Sequence, residues 1–359
     1  MRSLPSGSAW RVGLAAPCAF GVWAFFMNRL LLNLTESVWK QLAILGLALV
    51  LGAWALRPLW SSSGGRPKLW PWLTLLLLFA LGEARRVWLR HAYRVEAAAS
   101  AELFKPITTT ALRVARFTLR VPGLPVERLR VVHLTDLHVS EALPEAYPAQ
   151  VLAQIRTEKP DLLVLTGDYI SRAERLPLLE SWLRGLPAVR YGAFGVLGNH
   201  DYWTGHAPAI SEALRRAGVR VLTAECATVA LTPERALALC GTDAPWGPEL
   251  DPARLSAAQR VAAATLVLSH TPDKVYELEG LGVDALFAGH THGGQLRLPG
   301  LGALIVPSRY GRRFDQGHFL VEGTHLFVSA GIGADAPPLR LWCPPEILVV
   351  DLLPAGAAG

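Results

Sequence analysis

The distribution of apolar and polar positions divides the chain into two parts. Across the first 95 residues, apolar side chains come in long runs, at 12–34, 42–59 and 69–82. A helix needs about 20 apolar residues to cross the hydrocarbon core of a bilayer. The first two runs approach that length and the third is marginal. Trp10, Trp23, Trp39, Trp54, Trp60, Trp70 and Trp72 all fall here, several near the ends of runs, where an indole meets both headgroup and acyl chain. A cleavable signal peptide accounts only for the first run and lacks a clear small-residue cleavage site before the second. A soluble helical domain requires polar faces that these runs do not have. The pattern therefore predicts a membrane-anchor region over residues 1–95 with two to three transmembrane helices. A breaker-rich loop, Ser61 to Pro67, separates the second and third, and a linker spans 96–111.

From residue 112 onward the period shortens. Apolar runs of strand length are predicted at 129–135, 162–166, 192–197, 265–269, 285–288, 325–329 and 347–352. Helical spacing is predicted at 149–157, 176–184, 210–217 and 252–262. The strand–helix–strand rhythm of the first half argues for an α/β catalytic domain over 112–359, and the closer strands of the second half argue for mixed sheets. No internal repeat is visible.

Charge sharpens the division. Residues 1–120 carry a net +11 and the remainder a net −5, so the overall +6 belongs to the N-terminal part. A membrane surface fits that basic segment, with Arg85, Arg86, Arg90 and Arg94 after the last apolar run, better than nucleic acid does. Cys18, Cys226, Cys240 and Cys343 fit neither a zinc ribbon nor a disulfide-rich scaffold. A Cys226–Cys240 bridge is conceivable, but unpaired buried thiols are the expectation.

The candidate chemistry lies at strand ends. The strand at 129–135 runs into Asp136-Leu137-His138, the next into Gly167-Asp168, and the third into Gly198-Asn199-His200-Asp201. Two later strands end in His270 and in Gly289-His290-Thr291-His292-Gly293-Gly294. Ligand sites of open α/β sheets lie beyond the carboxyl ends of the strands, so these clusters are expected to converge on one rim. Spacing of two would place Asp136 with His138, and His290 with His292, on one side of an extended segment. A donor set of Asp, Asn and His without Cys suits divalent Mn, Fe or Zn. Asp168, a lone carboxylate at its strand end, is the natural bridge between two ions, which together activate a hydroxide and clamp phosphoryl oxygens. Five of the ten histidines occupy such positions, and His133 reads as an ordinary strand residue.

Taken in order, Asp136-x-His138, Gly167-Asp168, Gly198-Asn199-His200-Asp201, His270 and Gly289-His290-x-His292 closely resemble the calcineurin-like metallophosphoesterase superfamily. The resemblance spans about 112–353. Within the superfamily, Leu268-Ser-His-Thr-Pro-Asp273 and Gly289-His-Thr-His-Gly-Gly-Gln295 look like the YkuE/YaeI-type membrane-associated bacterial phosphoesterases. The stretches at Arg309-Tyr310-Gly311, 328–333 and Pro344-Pro345-Glu346 have the same look. The resemblance implies two mixed β-sheets in a sandwich flanked by helices. It implies that Asp136, His138 and His292 hold one metal and Asn199, His270 and His290 a second, with Asp168 bridging. It makes His200, oriented by Asp201, the catalytic group at the scissile phosphate or the leaving oxygen. Gly167-Asp-Tyr-Ile-Ser-Arg172 and Gly198-Asn-His-Asp201 both depart from the protein-phosphatase pattern, which argues against that role.

The expected activity is hydrolysis of a phosphodiester or pyrophosphate bond, on a phosphorylated small molecule or lipid, and on a membrane-associated lipid or lipid nucleotide in particular. The alternatives are an anchored phosphodiesterase for a soluble substrate such as a cyclic nucleotide, and a catalytically silent membrane scaffold. The expected location is multi-pass in a bacterial inner membrane, with the catalytic domain in the cytoplasm.

Overall fold

The structure is a computed structural model that describes residues 70–96, 103–140, 143–335 and 338–355. The apolar runs at 12–34 and 42–59 lie outside the described residues. The described chain forms two compact units, one including residues 70–92 and 309–313, the other taking the rest.

The first unit contains most of helix α1 (Trp70–Tyr93). Among the described residues, no helix is long and apolar enough to cross a membrane. This corrects the third expected transmembrane helix, the fold class that placed spanning helices before the catalytic domain, and the multi-pass membrane location with a cytoplasmic catalytic domain. The physical reason is visible in α1. Its apolar stretch from Trp70 to Leu81 covers only about 18 Å at 1.5 Å per residue, against about 30 Å of hydrocarbon. Glu83, Arg85, Arg86 and Arg90 follow within the same helix. These charges are engaged with protein: Arg86 Nε donates to Glu83 Oε2 at 3.2 Å, Arg312 also pairs with Glu83, and Arg86 and Arg90 are buried. A stretch expected to face lipid headgroups is thus partly consumed by ion pairing.

The second unit is a sandwich of two mixed sheets. The six-stranded sheet is built from β2 (Arg113–Val121), β3 (Leu129–Leu134), β4 (Leu162–Thr166), β5 (Ala193–Val196), β6 (Val219–Val221) and β15 (Glu346–Pro354), in the order β2-β15-β3-β4-β5-β6. Strands β3 to β6 are parallel, β15 runs antiparallel to β3, and β2 runs parallel to β15. The seven-stranded sheet contains β1 (Arg94–Glu96), β7 (Cys226–Ala230), β8 (Ala236–Thr242), β9 (Ala262–Ser269), β10 (Ala285–Ala288), β13 (Gly317–Val321) and β14 (Thr324–Val328). Its order is β1-β13-β14-β10-β9-β8-β7. A two-stranded ribbon pairs β11 (Arg297–Leu298) with β12 (Gly302–Ala303).

Alternation along the strands explains the layers. In β3, Leu129 and Val131 enter the core between the sheets, with Val164, Leu239, Leu266, Phe287 and Phe327. Val132 and Leu134 enter a second core under the helices α2 (Ala146–Glu158), α3 (Leu176–Leu183) and α5 (Ala207–Arg216), where they join Val151, Ile155, Leu179, Trp182, Ile210 and Leu214. Both faces of β3 and β4 are covered, which is why these strands read as unbroken apolar runs rather than alternating ones.

One sequence expectation changes here. Cys226 and Cys240 stand directly opposite each other in the β7–β8 hairpin and form a disulfide, where free thiols were expected. Their separation of 14 residues carries no sign of this; the hairpin register creates it. Cys343 is free and buried, its thiol donating to His292 O at 3.2 Å.

His133 is an ordinary strand residue and also a latent acid sensitivity. Its Nε2 lies 2.7 Å from Thr166 Oγ1, its ring packs edge-on to Phe287, and burial draws it down to about 3. The folded state therefore keeps it neutral, whereas the unfolded chain binds a proton below about 6.5. Stability is lost as pH falls from there towards about 3, by on the order of 2 kcal/mol near pH 5. We expect urea unfolding at pH 7 and pH 5 to show this loss, and His133→Asn to reduce it. An identical loss in the variant would remove His133 from the account.

Candidate active site

The carboxyl ends of β3, β4 and β5 in one sheet and of β9 and β10 in the other deliver the polar clusters to one place. Asp136 and His138 follow β3, Asp168 follows β4, Asn199 and His200 open the short helix α4 (Asn199–Trp203) after β5, His270 follows β9, and His290 and His292 follow β10. Backbone bonds tie the loops together: Asp136 N–H donates to Gly167 O at 3.0 Å, His138 N–H to Asp168 O at 3.0 Å, and Gly289 N–H to His270 O at 2.9 Å.

The expected extended pairs are not extended. Asp136, His138, Asp168, His290 and His292 all adopt left-handed backbone conformations, with φ between 38° and 67°. Such residues cost about 1–3 kcal/mol each and persist where the surroundings over-determine them, commonly at functional sites. Two glycines allow the close approach. A Cβ on Gly289 would lie 2.0 Å from Thr135 Oγ1, and one on Gly198 would lie 2.2 Å from Asp168 Oδ1.

The structure brings seven donors into two overlapping groups. Asp136, His138, Asp168 and His292 form one; Asp168, His270 and His290 form the other, with donor atoms in each group within 4.8 Å of one another. Asn199 joins the second group, its Oδ1 lying 3.0 Å from His270 Nε2. Asp168 belongs to both: its Oδ2 lies 3.6 Å from His138 Nε2 and 3.2 Å from His270 Nε2. All but His290 are buried, and His290 nearly so.

The rings are held from behind. His138 Nδ1 meets Ser171 Oγ at 2.7 Å and His270 Nδ1 meets Thr166 O at 2.6 Å, which leaves both Nε2 atoms aimed inward. Such outer partners fix tautomer and ring orientation in metal sites.

The electrostatics fit a cation. Burial opposes ionisation of Asp168, but His270 and His138 hold its carboxyl well below the usual carboxylate range. Burial pulls His270 down, yet Asp168 and Asp136 raise it to about 9. Burial pushes Asp136 up to about 7 and lowers His138 to about 4 and His290 to about 3. His138 Nε2 and His292 Nε2, on rings that burial keeps neutral, are 3.1 Å apart, and the neutral His290 ring places Nδ1 3.1 Å from Nε2 of His270, which the carboxylates keep charged. Inward-facing imidazole nitrogens and carboxylates in this density are the donor set of a divalent metal site.

His200 sits at the rim, its ring 4.8 Å from that of His138. Asp201 does not orient it. Both Asp201 oxygens are engaged by backbone N–H groups: Oδ2 by Asp168 at 2.8 Å and Gly198 at 2.9 Å, Oδ1 by Tyr169 at 2.9 Å. Burial, with Asp168 adding to it, pushes this carboxyl up to about 8. Its place is to stitch the β4 and β5 loops.

Several site residues escaped the sequence reading. The Trp203 ring lies 5.0 Å from that of His200 at a tilt of 55°, the Trp246 ring lies 5.0 Å from that of His290, and Asp335 Oδ2 lies 3.5 Å from His200 Nε2. Trp246 stands on the loop after β8, anchored where Asp243 accepts from Leu197 N–H at 3.0 Å and from Tyr202 Oη–H at 2.7 Å. Had β8 been recognised, the strand-end rule would have found Asp243. No signal of that kind marks Asp335.

A buried Asp–His cluster at the carboxyl edges of a two-sheet sandwich defines a metal-dependent hydrolase of phosphoric ester bonds. The chain belongs to the calcineurin-like phosphoesterase family, whose model matches residues 129–294. It is 30% identical over 258 residues to an uncharacterized metallophosphoesterase of Aquifex aeolicus, covering 69% of this chain and 95% of that protein. It is 33% identical over 228 residues to phosphodiesterase YaeI of Escherichia coli, covering 62% and 82%. It is 26% identical over 299 residues to the UDP-2,3-diacylglucosamine pyrophosphatase LpxG of Chlamydia muridarum, covering 67% and 89%.

Proposed function

We propose that this chain hydrolyses a phosphodiester or pyrophosphate bond in a substrate that carries an apolar chain, with two divalent ions (Mn, Fe or Zn) held in the paired donor groups. The observation that carries the reading is Asp168, whose one oxygen faces a histidine of each group. In this reading Asp136, His138 and His292 hold one ion, Asn199, His270 and His290 the other, and Asp168 both. Bound ions of this kind supply activation of water and neutralisation of phosphoryl charge. The chain supplies the rest. Ser171 and Thr166 keep His138 and His270 turned inward, and the His200 imidazole, at the rim, donates its proton to the departing oxygen.

The apolar part of the substrate is supported by a cavity. The segment bearing Asp136 and His138 also lines, through Leu137 and Val139, a largely apolar cavity of about 360 Å³ completed by Leu143, Tyr147, Trp182 and Ile332. That size is at the lower end of ligand pockets. The similarity to LpxG, whose name specifies a diacylated nucleotide sugar, points the same way.

The test uses metal-loaded protein with bis(p-nitrophenyl) phosphate, p-nitrophenyl phosphate, and an acylated nucleoside-diphosphate sugar beside its deacylated counterpart. We expect the diester to exceed the monoester and the acylated compound to exceed the deacylated one at least tenfold in kcat/KM. We expect Leu143→Glu to erase the second preference. A monoester preference would refute the bond type; equal turnover of the two sugars would refute the apolar chain.

A further inference from the structure

Asp201 is committed to backbone, and Ser171, in the segment after Asp168, is already bonded to His138. The carboxylate that faces His200 comes instead from more than 130 residues away. We propose that Asp335 is the positioning residue for His200, holding the imidazole in the orientation in which it serves the leaving oxygen. The proposal rests on the role given to His200 above.

The loop carrying Asp335 is built to hold a side chain in place. Gln295, just after the His290-Thr-His-Gly-Gly turn, clasps Asp335 by two backbone bonds: its Nε2 donates to Asp335 O at 3.1 Å, and Asp335 N–H donates to its Oε1 at 3.0 Å. Upstream, Ile332 N–H donates to Thr135 O at 3.1 Å and Gly333 N–H to Asp136 O at 2.7 Å, so the loop is pinned to the segment bearing Asp136. Arg340, fully buried, secures the same turn by donating from Nε to Gly333 O and from Nη2 to Ala330 O, each at 2.7 Å. The loop is thus tied to the β3 and β10 clusters at once, and its carboxylate is delivered to the β5 cluster.

His200 is correspondingly confined. Trp203 packs on its ring at 5.0 Å, His138 meets it edge-on at 4.8 Å, and Asp335 Oδ2 stands 3.5 Å from Nε2. A carboxylate on one ring nitrogen sets both the tautomer and the rotation of an imidazole, so the other nitrogen is presented in a fixed state. Side-chain exposure of 41% at Asp335, against 19% at His200, places the pair at the mouth of the site, where a departing group leaves.

The rival assignment is that Asp335 is itself a metal ligand, since His138, His200 and Asp335 can also converge on an ion. The experiment separates the two with full-length wild-type, Asp335→Asn, Asp335→Glu, His200→Ala and the His200→Ala/Asp335→Asn double variant, all loaded with Mn²⁺. Metal content, kcat and KM are measured on phosphodiesters whose leaving groups are p-nitrophenol and a simple alcohol. A positioning role predicts that Asp335→Asn retains its metal and KM and loses about 10–100-fold in kcat on the alcohol ester. It predicts a smaller loss on the p-nitrophenyl ester and partial recovery in Asp335→Glu. In the His200→Ala background the same substitution should change kcat less than about twofold, because the group it acts through is gone. Equal losses in both backgrounds, or loss of metal from Asp335→Asn, would overturn the proposal while leaving the phosphoesterase reading intact. Unimpaired turnover by His200→Ala would overturn the role of His200 and the proposal with it.

Discussion

Asp168→Ala is expected to lower turnover roughly 10³-fold or more and to reduce bound metal well below that of the wild type. The carboxylate is the one side chain shared by both donor groups, and its Oδ1 also accepts the His200 backbone N–H at 2.8 Å. Removing it takes a negative charge from between buried histidines and leaves His270, which that charge keeps protonated in the metal-free site, without the carboxylate at 3.2 Å from its Nε2. Charge stabilisation by metal ions contributes several kcal/mol, and about 4 kcal/mol is three powers of ten in rate. Elemental analysis of dialysed protein and diesterase assays in added Mn²⁺ provide the readouts. Wild-type rates in the variant, or in thoroughly metal-stripped protein, would end the two-ion mechanism.

His200→Ala should leave both ions in place and cost roughly 10²–10⁴-fold, the usual contribution of a positioned acid. The ring stands outside the two donor groups that share Asp168, next to His138 rather than between the carboxylates. The loss should shrink for esters of p-nitrophenol, which departs without protonation, and be largest for esters of simple alcohols. A variant that has lost an ion would move His200 into the metal shell. A loss equal for both leaving groups would make it a phosphate contact instead of an acid.

The local parts of the site were legible because strand and motif are the same stretch of sequence. β4 at Leu162–Thr166 and β10 at Ala285–Ala288 coincide with the apolar runs that predict them, and β3 agrees to within one residue. Helices were also found, although the predicted run at 252–262 overreached: α6 (Pro252–Gln259) stops early and Ala262 begins β9. The strands β1, β2, β6, β7, β8, β11, β12 and β13 passed unnoticed. Cys226–Ala230 and Gly317–Val321 are short and mixed in composition, and only pairing with β8 and β14 makes them strands.

What the amino-acid order determined by itself is therefore the set of apolar strands and the polar residues that terminate them, because a strand's length and its C-terminal cluster are properties of consecutive residues. Tertiary structure alone decided which clusters share a carboxylate, which of two candidate aspartates faces His200, and that Cys226 meets Cys240. Each of these depends on sheet order and loop path, which bring His138 within reach of His292, a separation of 154 positions. Asp201 illustrates the limit. Adjacent to His200 in sequence, it turns its carboxylate to the backbone N–H groups of Asp168, Gly198, Tyr169 and Ile170, because a buried loop crossing must satisfy its donors before a side chain is free for anything else.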